Sequence, residues 1–121
     1  MTEQIQKLTE TAVKAIKDKK GKGISVIDMQ GMDGVICQAF VICQGGSPTQ
    51  ISAIADNVEE VMRKELGEKP LKIVGMENCY WVAMDYVDII VHIFLPEAHD
   101  FYDIESLWQD ATVTEIPDDE E

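Results

Sequence analysis

The stretch VICQAFVIC (residues 35–43) is apolar on both alternating faces apart from Gln38. A strand carries that pattern only when both faces are covered, so the segment predicts a central strand with layers above and below its sheet. ISVIDM (24–29) is rich in β-branched residues and too short for a helix, which predicts a neighbouring strand, and QGMDG supplies the turn that follows it.

Two segments can cover such a sheet. Ile5, Leu8, Ala12, Val13 and Ile16 recur at three-to-four spacing between Thr2 and Lys20, an amphipathic helix that ends at Gly21. In GGSPTQ, Ser47 is placed to cap a second helix, with Pro48 at the first helical position and Gln50 completing a capping box. That helix carries Ile51, Ile54, Ala55, Val58, Met62 and Leu66 on one stripe and closes at Gly67. Three strand candidates follow in succession, at 71–75, 79–85 and 88–94. The predicted class is therefore α/β, with a mixed β-sheet of about five strands packed with helices.

Residues 1–112 are expected to form one domain, because a chain of this length buries enough surface for a single core. Residues 113–121 read as an acidic, disordered tail: five carboxylates fall in the last seven residues, within a formal charge of −13 for the chain. Most of that charge still belongs to the folded body. A body this acidic repels nucleic-acid phosphates and is steered toward a basic protein surface. No apolar run approaches a membrane span and no signal peptide is evident, so the expected location is cytoplasmic, with no membrane partner. Cys37, Cys43 and Cys79 include no CxxC pair and read as reduced core residues.

The corner MDYVDI sets a hairpin. With Tyr86 and Val87 as a two-residue loop, Asp85 would face Asp88, Ala83 would face Ile90 and Trp81 would face His92. One face of the hairpin is then apolar core, formed by Tyr80, Val82, Met84, Ile89, Val91 and Ile93. The other is mixed. In HDFYDIESLWQDA (99–111), Asp103 can cap a short helix, with Phe101 and Ile104 expected in the core and Trp108 divided between core and surface.

Catalytic readings find little to build on. GGS before a helix suggests a phosphate cradle, but GxxxxGK[ST] and GxGxxG are both absent, and the next acids lie within the helix itself. No Ser-His-Asp pattern or metal-ligand spacing occurs. The chain is expected not to be an enzyme and to have no catalytic residues, no metal and no cofactor. A catalytically dead or weak nucleotide-binding protein using Gly45, Gly46, Ser47 and Asp85 stays open as an alternative. So does a dimeric scaffold, joined through the face of Trp81 and His92.

The order DMQGM, FVICQGGSPTQISAIADNV, WVAMDYVDIIVHIFLPE and FYDIESLWQDA resembles the ribosomal silencing factor family, also called the Iojap-related proteins. The resemblance runs from about Ile5 to Ala111. It implies a nucleotidyltransferase-like fold without the active site. It also implies binding to the large ribosomal subunit at its fourteenth protein, which sterically blocks joining of the small subunit and represses translation under nutrient limitation. The partner would be a basic ribosomal protein with little direct RNA contact, and a homodimer off the ribosome is left open. The matched motifs, with the mixed hairpin face, assign Trp81, Tyr86, Asp88, Asp100, Tyr102, Leu107 and Trp108 to a ribosome-facing surface. The chain departs from the family pattern at Gln38 and Ala39, at Val74, at Val87, where the family has glycine, and at His99, where it commonly has arginine.

Overall fold

The computed structural model describes residues 2–32, 34, 37–107 and 111–117, excepting the side chains of Glu105 and Leu107. Helix α1 (Glu3–Asp18) starts where the Thr2 hydroxyl accepts the Ile5 N–H at 3.3 Å, and it buries Ile5, Leu8, Ala12, Ala15 and Ile16. Strands β1 (Lys22–Asp28) and β2 (Ala39–Gln44) lead to helix α2 (Pro48–Leu66). Strands β3 (Lys72–Val74), β4 (Trp81–Asp85) and β5 (Ile89–Phe94) follow, then the short helices α3 (Pro96–Tyr102) and α4 (Ile104–Leu107), and strand β6 (Thr112–Glu115).

The sheet order is β3-β4-β5-β2-β1-β6, with β2 and β5 parallel and every other pair antiparallel. The class is mixed α/β, as the alternation of patterns predicts. Strand β2 lies inside the sheet, and Ala39 to Cys43 are all buried. Ala39, Val41 and Cys43 pack toward α1 and α2 together with Ile54, Val58, Val82, Val91 and Ile93. Phe40 and Ile42 pack on the other face with Ile27, Met29, Phe94, Ala98 and Ile104. Each fully buried side chain of this kind contributes about 1.5–3 kcal/mol through removal from water.

Three expectations need correction. The central strand begins at Ala39 rather than residue 35, where its pairing with Ile89 of the parallel partner begins, although the Gln38 N–H still donates to the Asp88 carbonyl at 2.8 Å; residues 35 and 36 lie outside the described residues. The sheet has six strands, where about five are expected. The sixth lies across the boundary expected at 112/113: Thr112–Glu115 pairs antiparallel with the edge of β1, Val26 opposite Thr114 and Ile27 opposite Val113. The acidic count of that segment hides the short β-branched run TVT, and residues 118–121 lie outside the described residues.

The third correction is the hairpin register. Trp81 pairs with Phe94, Ala83 with His92 and Asp85 with Ile90. The two-residue loop is Val87–Asp88, closed by a 2.9 Å bond from the Tyr86 N–H to the Ile89 carbonyl. Moving the loop by one residue shifts each pairing by two, so the expected apolar and mixed faces survive while the partners change. Asp85 and Asp88 do not face each other. Instead the Asp85 carboxylate accepts the Val87 N–H at 2.8 Å.

The three cysteines are buried and free. Burial pushes the Cys37 thiol up to about 11 and raises that of Cys43 further, so neither is poised as a nucleophile.

Candidate functional site

The mixed face of the sheet is covered unevenly. Ala98 of α3 and Ile104 of α4 seal its β1–β2 side. Toward β3 and β4 it is open: Val74 is exposed, and Trp81, Ala83, Asp85 and Ile90 are half-buried. Val74, Ala83, His92 and Ile42 form one row across four strands, and Trp81, Phe94 and Gln44 form part of the next. Side chains in such rows share a face and touch their neighbours.

Trp81 is the hub of this surface. Its ring stacks on Phe94 with centroids 5.0 Å apart and an interplanar angle of 25°. Tyr102, 42% exposed at the end of α3, lies 4.7 Å from Trp81 on centroids. The indole N–H donates to His92 Nδ1 at 3.0 Å. Beside this pair, Asp100 holds an exposed carboxylate 3.4 Å from His99 Nδ1. The arrangement joins a large, rigid aromatic surface to acidic neighbours, which suits a partner offering apolar surface with arginine or lysine.

The residues singled out from sequence divide into groups. Trp81, Asp100 and Tyr102 gather at the α3 end of the open face. Asp88 is half-buried at the hairpin tip, at the far end of β5 from Trp81. Tyr86 is only 3% exposed and packs on the opposite, α1–α2 side, where burial first and then Glu59 and Glu68 push its phenol up. It can support the surface only by anchoring the hairpin. Leu107 ends α4, and Trp108 lies outside the described residues. Phe101, expected in the core, is 77% exposed, because α3 turns Ala98 inward and the chain leaves the helix at Asp103 in a left-handed conformation. Ala83 and Ile90 lie on the open face as alternation predicts, whereas Val74 joins it by pairing with Ala83, a signal the sequence carries only once the β3–β4 register is known.

The nucleotide alternative loses its geometry. The Gly45 N–H donates to the Phe94 carbonyl at 2.9 Å, the Gly46 N–H to Gln50 Oε1 at 2.7 Å, and the Gln50 N–H to Ser47 Oγ at 3.1 Å. The cradle is thus filled by the protein's own acceptors. Asp85, moreover, pairs with the start of β5, whereas Gly45 follows the register position of its end. At about 3.3 Å per residue the two are separated by more than a nucleotide's triphosphate contacts allow. Among the described residues, no group of three or more His, Cys, Asp or Glu side chains is arranged to hold a metal. The self-interface alternative also weakens, since His92 is 6% exposed and cannot meet a second copy directly. A cleft of about 530 Å³ lined by Val13, Val26, Thr114 and Ile116 lies on the α1 side, away from the aromatic surface.

Residues 2–121 match the family described as ribosomal silencing factor during starvation. The chain belongs to the ribosomal silencing factor family. It is 34% identical over 111 residues to the ribosomal silencing factor RsfS of Halalkalibacterium halodurans, covering 92% of this chain and 93% of that protein. It is 36% identical over 105 residues to the RsfS of Chromobacterium violaceum, covering 87% and 84%. A crystal structure of a Chromobacterium violaceum protein superposes with a TM-score of 0.81 at 35% identity, covering 87% of this chain and 86% of that one. In this ribosomal silencing factor chain, no described helix is long and apolar enough to cross a membrane.

Proposed function

We propose that the protein represses translation as a cytoplasmic factor that binds the large ribosomal subunit at its fourteenth protein and blocks joining of the small subunit. The observation that carries this reading, beside family membership, is the Trp81–Tyr102 pair at the open, acid-flanked side of the sheet. A basic ribosomal protein offers charges that Asp100 and Asp88 can meet, while ribosomal RNA is repelled by the same acidity, so the docking site is a protein surface with little RNA contact. Leu107 and Trp108, which follow α3, extend the surface in this proposal, and Tyr86 supports it from within. The action requires no bond to be made or broken: a bound domain excludes the second subunit by its volume.

Sedimentation of mixed subunits with and without added protein tests the proposal. Free subunits should accumulate at the expense of joined ribosomes. An unchanged profile at saturating protein would refute it.

A further inference from the structure

His92 is an uneconomical choice for its place in the fold. Its Nδ1 accepts the Trp81 indole N–H at 3.0 Å, so the ring proton of the neutral imidazole is on Nε2. Nε2 is buried, with no hydrogen-bond partner among the described residues. The ring sits edge-on to Phe40, with centroids 4.6 Å apart, and 6.0 Å from Phe94 at 18°. A phenylalanine would suit this aromatic setting and would leave no polar atom unpaired. What histidine alone adds is an acceptor aimed at the half-buried Trp81.

We infer that His92 is a positioning residue, which fixes the Trp81 indole in the orientation that presents its free edge, with Tyr102, to the partner. The inference rests on the ribosome-binding reading of this face. The hydrogen bond removes one of the rotational choices left to an indole held by ring contacts with Phe94 and Tyr102, so binding no longer has to order it. Stability and function should therefore part at position 92.

The test compares H92F, which keeps the ring volume but has no acceptor, with H92N, whose side-chain oxygen can take the place of Nδ1. Each is measured for thermal stability, for the proton shift of the Trp81 indole N–H, and for co-sedimentation with large ribosomal subunits. W81A serves as reference. H92F should fold at least as stably as the parent, move the indole resonance and bind about tenfold more weakly; H92N should be less stable yet bind more tightly than H92F. Binding that simply follows stability across the two variants would overturn the positioning role. So would an indole resonance unmoved in H92F, whatever the ribosome does. Full-strength binding by a folded W81A would instead overturn the surface assignment itself.

Discussion

Gly75 passes so close to Trp81 that a Cβ on the glycine would overlap the Trp81 carbonyl oxygen, and it does so at φ +91, where other residues are strained. The glycine thus sets the path by which the chain enters β4 and the backbone from which Trp81 projects. Gly75→Ala combines a steric overlap with an unfavourable backbone conformation, and should destabilise the fold by about 2 kcal/mol or more. Chemical denaturation of the purified variant measures this directly. A midpoint equal to that of the parent would show that β4 can be entered by another path.

Val87 is the opposite case, a bulky residue where a glycine belongs. It has φ +73, and the Asp88 N–H donates to the Tyr86 carbonyl across it at 2.9 Å, which makes a positive-φ γ-turn at the hairpin tip. A β-branched residue is strained there, and at 60% exposure its side chain recovers little through burial. Val87→Gly should raise stability by about 1 kcal/mol through relief of that strain, the greater freedom of glycine in the unfolded chain offsetting part of the gain. Equilibrium unfolding of the two proteins side by side decides the sign.

These two positions show how unevenly the sequence discloses the fold. Ser47, Pro48 and Gly67 delimit α2 correctly because caps are local chemistry. Gln50 departs only slightly, reaching back to Gly46 rather than to the cap residue itself. The hairpin faces follow from alternation, but the register turns on whether Tyr86 joins the loop or the core, and alternation cannot distinguish loops displaced by one residue. Strand β6 leaves little trace in the sequence because its partner is far away in the chain and its neighbours are acidic. The aromatic surface was legible as a set of residue types; the contact between Trp81 and Tyr102 depends on where α3 folds back onto the sheet.

Acid should weaken the fold through His92. Burial lowers its imidazole from 6.5 to about 4. Above pH 6.5 both the folded and unfolded forms are neutral and the full stability is present. Between pH 6.5 and 4 the unfolded chain takes up a proton that the native ring refuses, so stability falls as pH falls, by about 3 kcal/mol across the window. Carboxylates titrate over part of the same range. The informative quantity is therefore the difference in unfolding free energy between the parent and H92F at pH 7 and pH 4.5, which should change by about 2–3 kcal/mol in favour of H92F at the lower pH.

Tyr102 and Asp100 separate affinity from attraction. Tyr102→Ala removes a partly exposed ring that contacts Trp81, and should weaken binding to large subunits by about 2 kcal/mol if Tyr102 is a central anchor. Asp100 is a surface charge, so Asp100→Lys should act chiefly by slowing association, most clearly at low salt. Surface plasmon resonance with immobilised subunits at two ionic strengths resolves both effects. Equal association rates for the parent and Asp100→Lys at low salt would argue against a basic partner.

The pairing of β6 with β1 has a consequence for how the protein is made. Almost the whole domain must be synthesised before Thr112–Glu115 can dock on strand β1 near the start of the chain. A nascent polypeptide that has already assembled its two large helices and inner strands still presents a row of unsatisfied amide and carbonyl groups along β1. Such an edge is a template for unwanted strand addition, and closing it late makes the completed molecule less prone to self-association than its own precursors.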